Sequence, residues 1–220
     1  MYEINLLKSL PTVKRNVKKR KIGKEIDAEV ITIAKQFGEL FFDGHRKYGY
    51  GGYRYDGRWK PVAKDIINHF NLKPGDRLLD VGCAKGYLLK DLKDTCPGLE
   101  VVGLDISEYA INNSPDDIRA ALQLGSADSL PFPDGYFNAA LSINTIHNFN
   151  RKDAIIAVHE LQRVSNGNAF IQVDSYLTPE EKEIFESWVL TAQFHDYPEG
   201  WIEVFKEAGY TGGYYWTFVV

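Results

Sequence analysis

Residues 77–89 read Arg77-Leu78-Leu79-Asp80-Val81-Gly82-Cys83-Ala84-Lys85-Gly86-Tyr87-Leu88-Leu89. The first six residues form a short apolar run of strand type, and a helical pattern, GYLLKDLK (86–93), begins directly after it. Small residues at 82, 84 and 86 let the backbone between strand and helix approach a ligand closely. Three glycine-dependent readings compete for such a loop. A dinucleotide fingerprint requires glycine at 84 and 87, where Ala84 and Tyr87 stand. A phosphate-binding loop requires Gly-Lys-Ser/Thr further on, which is absent. The pattern that fits is D-x-G-x-(G/A)-x-G, spanning Asp80 to Gly86.

Downstream of this loop, strand and helix patterns alternate. LEVVGLD (99–105) reads as a second strand, with Ser107 placed to cap the helix after it. Short strands fit 121–124 and FNAALSI (137–143). Asn150 can cap a helix running to about Val164, with Asp153 as its capping-box partner. NAFIQVD (168–174) is a fifth strand. Helical stretches over 179–192 and 199–208 follow, and then an aromatic strand near 214–219. After Gly209 there is room for one strand, or for a very short hairpin around Gly212-Gly213.

Upstream, the turn residues 73–76 follow an expected helix over 59–70, with Pro61 in its first turn. Apolar residues Ile26, Val30, Ile33, Ala34, Phe37 and Phe41 recur at helical spacing and predict a helix over 24–42, ended by Gly44. Between them lies YGYGGYRYDG (48–57), which has no periodicity. The expected fold is α/β: a mostly parallel sheet with helices on both faces and an N-terminal helical cap. Residues 1–58 are expected to form a basic arm, helix and Gly/Tyr lid packed on a core of 59–220.

The composition is that of an ordinary globular chain, with 220 residues, 44% hydrophobic and 25% charged. Two cysteines, Cys83 and Cys96, make neither a disulfide framework nor a metal-ligand pattern, so a reducing cytoplasm is expected and no metal. No apolar run reaches membrane-spanning length and no signal-peptide pattern opens the chain. The net charge of −4 conceals an asymmetry. Residues 1–24 carry eight basic residues against Glu3, a balance of +7, while 25–220 carry 18 basic and 29 acidic residues, a balance of −11. A basic arm on an acidic body predicts an anionic partner, and the acidic body argues against a long nucleic-acid track.

Five segments in order resemble the class I S-adenosylmethionine-dependent methyltransferases. LLDVGCAKGYLL (78–89) looks like their first motif and VVGLDIS (101–107) like their second. LQLGSADSLPFPDGYFN (122–138) is similar to their LxxGDAxxLPFPDxSFD segment, and ALSINTIHNF (140–149) sits where their fourth motif lies. HELQRVSNGNAFIQVDSY (159–176) resembles their fifth strand and its approach. The resemblance covers about residues 60–174 and, more loosely, 201–210.

It implies methyl transfer from S-adenosylmethionine, with S-adenosylhomocysteine as product. Gly82, Ala84 and Gly86 would leave room for the methionine part, with Asp80 orienting the loop. Asp105 would accept the ribose hydroxyls, with Ile106 beside it. Ser126, Ala127 and Asp128 follow the third strand, where the family reads adenine. Ser126 stands where an aspartate is usual, which leaves open whether Ser126 or Asp128 takes the adenine amino group. Ile143 closes the cofactor set. Taken alone, Gly82 and Gly86 also suit a tight turn, and Asp105 also suits a helix cap.

Methyl transfer from a sulfonium mostly needs alignment, and a base is needed only where the acceptor must lose a proton. His147, with Asn144, just past the fourth strand, is the candidate for that role. His45, His195 and Asp174 are weaker candidates, while His69 and His159 read as structural. Tyr50 and Tyr53 in the lid could face the sulfonium by cation–π attraction. Ile143-Asn144-Thr145-Ile146 is not the Asn/Asp-Pro-Pro-aromatic signature, and neither cysteine sits where a pyrimidine methyltransferase places its nucleophile. The expected acceptor is a small molecule, with a lean to a phosphorylated or nucleotide-linked one bound by Arg15, Lys18, Lys19 and Arg20. The alternatives are an RNA or protein methyltransferase and a non-catalytic cofactor-binding module.

Overall fold

Leu78 and Leu79 face opposite sides of one sheet, and each is buried in a different apolar layer. The computed structural model describes residues 1–11 and 27–218. Its strands are β1 (Tyr2–Glu3), β2 (Arg77–Val81), β3 (Glu100–Asp105), β4 (Leu122–Leu124), β5 (Ala139–Ile143), β6 (Ala169–Ser175) and β7 (Gly213–Phe218). Among the described residues these make one sheet in the order β1-β7-β6-β5-β2-β3-β4. Every neighbouring pair is parallel. Strands covered on both faces read as continuous apolar runs, which is why RLLDV and AFIQV were legible without alternation.

The helices are α1 (Ala28–Ala34), α2 (Glu39–Phe42), α3 (Lys60–Phe70), α4 (Tyr87–Thr95), α5 (Glu108–Asn112), α6 (Asp116–Arg119), α7 (Arg151–Ser165), α8 (Pro179–Glu186) and α9 (Pro198–Glu207). One layer buries Ile66 of α3 and Leu89 and Leu92 of α4 against Leu78, Leu141 and Phe170. The other buries Val158 and Leu161 of α7 and Trp201 and Phe205 of α9 against Leu79, Val81 and Ile171. No described helix is long and apolar enough to cross a membrane.

The expected caps are present. The Ser107 hydroxyl accepts from the Ala110 N–H at 3.0 Å. Asn150 accepts from the Asp153 N–H at 3.1 Å, and its own amide donates to the Asp153 carboxylate at 2.7 Å. β2 leads through α4 to β3 on one side of it, while β5 lies on the other. That switch in direction opens a crevice at the carboxyl ends of β2 and β5, where a ligand can enter.

Two expectations are corrected. The helix predicted over 24–42, whose residues 24–26 lie outside the described ones, is broken into α1 and α2. Phe37 takes a left-handed φ of 48°, and its carbonyl accepts from the Ser107 hydroxyl at 2.5 Å. The helix predicted over 179–192 stops at Glu186, and the chain then turns toward β5: the Gln193 and Phe194 N–H groups donate to the His147 carbonyl at 2.9 and 3.2 Å. Within the segment expected to form the basic arm, β1 pairs with β7 and Leu6 is buried on the α3 side of the sheet. Of the two readings of the tail, one strand is present; β1, not a hairpin, continues the sheet beyond it. The basic residues Arg15, Lys18, Lys19 and Arg20 lie outside the described residues.

Leu6 is 3% exposed. Leu6→Ala is expected to cost about 2–4 kcal/mol in urea unfolding, the range for a buried leucine. A cost below about 0.5 kcal/mol would mean that residues 1–11 do not belong to the folded core.

Candidate functional site

The loop from Asp80 to Gly86 is folded by alternate left-handed residues: Gly82 (φ 81°), Ala84 (φ 50°) and Gly86 (φ 71°). Gly82 and Cys83 donate to the Leu104 carbonyl at 2.7 and 3.2 Å, fastening the loop to β3. A Cβ on Gly82 would lie 1.9 Å from the Thr145 hydroxyl, so only glycine lets the loops after β2 and β5 meet. One at Gly86 would press on Leu122, 3.2 Å away; this glycine serves packing on β4.

Asp105 ties the loop to the next helix. One carboxylate oxygen accepts from the Ala84 N–H at 2.7 Å and the other from the Ser107 N–H at 2.8 Å. Burial raises the Asp105 pKa, opposed by these backbone bonds. Asp80 lies fully within the protein, where burial and, second, the charge of Asp105 push its carboxyl up to about 7.

A cavity of about 630 Å³ opens at this end of the sheet. Gly82, Ala84, Asp105, Ile106, Ser126 and Ala127 line one part, and Ile143, Asn144 and His147 continue the wall. Tyr50 lines it from the lid. Asp80, Gly86, Asp128 and Tyr53 do not line it. Tyr53 packs behind Tyr50, with ring centroids 4.6 Å apart, and against Tyr87 at 5.0 Å; burial raises its phenol pKa well above the ordinary value. The sequence reading missed the aromatic walls Phe37, Phe41, Phe149 and Trp188. Phe37, Phe41 and Trp188 fall in stretches that read as continuous helix, and Phe149 falls in the loop after the fourth strand.

It also missed the clamp that holds the lid. The Lys85 ammonium, 6% exposed, pairs with Asp43 at 2.5 Å and donates to the Tyr53 carbonyl at 3.1 Å. Tyr109 and the Tyr53 N–H also donate to Asp43, and the Tyr87 hydroxyl donates to the Tyr53 carbonyl at 2.9 Å. Burial opposes ionisation of Asp43, but the bonds from Lys85 and Tyr109 outweigh it and hold its carboxyl below the ordinary range.

At the carboxyl ends of β5 and β6, the cavity is lined by His147, Asn148 and Asp174. His147 Nδ1, Asn148 Oδ1 and Asp174 Oδ1 are buried without hydrogen-bond partners. Burial lowers the His147 pKa, Asp174 raises it and His195 lowers it; the net direction is down, so the imidazole is neutral at pH 7. Asn144 holds a left-handed φ of 55°, its N–H donating to the carbonyl and the side chain of Gln172 at 3.0 and 3.1 Å. Of the weaker candidates, Asp174 reaches the cavity, whereas His45 is exposed and bonded to the Lys47 N–H, and His195 is bonded to Tyr176. His69 meets Tyr2 at 3.0 Å and His159 is exposed.

Asp80 yields a stability prediction. Its folded pKa, about 7, lies above the ordinary carboxylate value, so its stabilising protonation is complete below about pH 4 and is lost as pH rises through 7. Asp80→Asn is fixed neutral. Its Tm, measured without ligand, is expected to match that of the parent near pH 4 and to exceed it by on the order of 5–10 °C at pH 8.5. A Tm difference independent of pH would contradict a raised pKa.

Comparison with known proteins agrees with this geometry. Residues 79–171 match the family model described as a methyltransferase domain. A demethylmenaquinone methyltransferase of Symbiobacterium thermophilum is 37% identical over 90 residues, covering 37% of this chain and 36% of that protein. A 2-methyl-6-phytyl-1,4-hydroquinone methyltransferase of Synechocystis is 28% identical over 167 residues, covering 65% and 51%. The ubiquinone/menaquinone biosynthesis C-methyltransferase UbiE of Burkholderia cenocepacia is 31% identical over 121 residues, covering 52% and 48%. The chain thus spans about a third to a half of the length of these relatives. Among solved structures, a complex of the Haloferax volcanii Trm112 methyltransferase activator with a proposed methyltransferase gives a TM-score of 0.54 at 24% identity, covering 67% of this chain and 66% of that one. The YcgJ protein of Bacillus subtilis gives 0.51 at 19%, covering 66% of each chain. These two likenesses speak to the fold. Residues 79–171 are thus similar to a methyltransferase domain, and the chain shares its fold with these two solved structures.

Proposed function

We propose that this protein transfers a methyl group from S-adenosylmethionine to a small-molecule acceptor. The observation that carries the reading is one cavity lined both by Gly82, Ala84 and Asp105 and by His147, Asn148 and Asp174. The relatives named for quinone and hydroquinone methylation support a small acceptor.

The residues fit the cofactor. Gly82 and Ala84 bring bare backbone to the cavity, and each Asp105 oxygen keeps a lone pair beyond its backbone bond, enough for two ribose hydroxyls. Ser126, which lines the cavity where Asp128 does not, is the residue we assign to the adenine end. Bound there, the cofactor supplies an electrophilic methyl on a sulfonium. The protein aligns the acceptor with that methyl and excludes water, effects together worth several kcal/mol or more. Tyr50, backed by Tyr53, covers the site. His147, neutral through its lowered pKa, accepts the proton that a protic acceptor releases.

A phosphorylated or nucleotide-linked acceptor is the second reading, favoured by Lys35 and Arg46 on the exposed part of the cavity wall. If the basic segment adds to them, replacing Arg15, Lys18, Lys19 and Arg20 with glutamine raises the acceptor KM severalfold at unchanged cofactor affinity; an unchanged KM excludes it.

Calorimetry with S-adenosylhomocysteine is the direct test, and no binding would refute the scheme. In an assay with an accepted substrate, His147→Gln is expected to keep that affinity while lowering kcat about 100- to 10,000-fold. The parent kcat should stay level from pH 8 to below the ordinary histidine value of about 6.5 and fall only at more acid pH, because a base must be unprotonated and this one has a depressed pKa. A fall centred above 6.5 would exclude His147 as the base.

A further inference from the structure

The cavity end between β5 and β6 narrows the chemistry of the acceptor. Asp174 is 8% exposed, its Oδ1 has no hydrogen-bond partner, and it enters no ion pair with a described residue. Beside it, Asn148 Oδ1 is also buried and unpartnered. Both atoms accept hydrogen bonds and neither can donate. Aromatic residues Phe37, Phe41, Phe149 and Trp188 line the same cavity. An uncompensated buried carboxylate costs several kcal/mol unless a cation with N–H donors reaches it. Aromatic faces add attraction for the same kind of group. A carboxylate ligand would be repelled by Asp174. An alcohol brings one hydrogen to two acceptor atoms and no charge.

We propose that this end of the cavity binds the amino group of a small organic amine, with Asp174 and Asn148 receiving its N–H bonds, so that the methylated atom is nitrogen. The proposal rests on the methyl-transfer reading above. In the transfer, the ammonium gives one proton to His147 Nδ1. The freed nitrogen pair forms the N–C bond to the methyl carbon. The C–S bond breaks with its electron pair staying on sulfur, leaving a methylated ammonium and S-adenosylhomocysteine. Asp174 acts here as the specificity-determining residue. The positive charge at the exposed end, from Lys35 and Arg46, concerns the remote part of the acceptor and not the reacting nitrogen.

The test uses matched probes on the full chain: phenethylamine, 2-phenylethanol and 3-phenylpropanoate, each titrated by calorimetry at pH 7.5 with and without saturating S-adenosylhomocysteine. Phenethylamine is expected to bind at least tenfold more tightly than either analogue. Asp174→Asn is expected to reduce that preference to threefold or less at unchanged S-adenosylhomocysteine affinity. Equal binding of the three probes, or no detectable binding of phenethylamine, overturns the proposal. So does a loss of S-adenosylhomocysteine affinity in Asp174→Asn, which would assign the carboxylate to the cofactor. If Asp174→Asn does not fold, the parent preference still decides, and Asn148→Ala should weaken phenethylamine more than 2-phenylethanol; equal weakening overturns it. Failure of the methyl-transfer reading shows separately, as absent S-adenosylhomocysteine binding.

Discussion

The carboxylate of Asp105 is the constraint on which the rest of the site is built. It is nearly buried at the end of β3 and accepts from Ala84 on one side and Ser107 on the other. Those two bonds fix the loop after β2 and the start of α5 to one point. Ala84 holds a left-handed φ, a conformation that costs a non-glycine residue on the order of 1 kcal/mol. The charge-assisted bond to its N–H offsets that cost. Ser107, positioned by the same carboxylate, caps α5 and donates to Phe37, so the chain between α1 and α2 is fastened to the start of α5. Burial and, second, the charge of Asp105 raise the Asp80 pKa to about 7. The ends of β2 and β3 therefore hold two buried carboxyls with raised pKa values.

A second device joins lid and core. Lys85 belongs to the cofactor loop, but its side chain turns away from the cavity to meet Asp43 and the Tyr53 carbonyl. An ion pair of this burial is a weak source of stability, because both charges lose water. Its value is specificity of arrangement: Asp43 gathers Lys85, Tyr109 and the Tyr53 N–H, and no apolar residue could order that many donors. Any change in the loop around Ala84 thus reaches Tyr53 through one side chain.

How much of this was legible follows from the range of each interaction. Parallel strands buried on both faces announce themselves as apolar runs, and caps at Ser107 and Asn150 are local, so β2 to β6 and α7 were read within a residue or two. The left-handed loop after β2 was legible because small residues between a strand and a helix suit close backbone approach. Two-residue β1 has no period to read, and its pairing with β7 spans almost the whole chain. Lys85 looks solvated in sequence because its partner lies 42 residues away. The 187–194 wall owes its place to bonds from Gln193 and Phe194 to the His147 carbonyl, which leave no mark on composition. Whether Ser126 or Asp128 faces the cavity depended on where β4 ends, and it ends at Leu124.

The same reasoning changes the meaning of the basic segment. In the sequence it looked like a terminal arm. Residues 1–11 are instead anchored: β1 extends the sheet at the edge of β7, Leu6 is buried, and the Ser9 hydroxyl donates to Asp65 of α3. Asp27 caps α1, which leads into the lid. Residues 12–26, with seven basic residues and one acid, join these two segments in sequence. The acidic body repels a long polyanion, whereas a charged group on a small ligand at the cavity mouth meets only the local field.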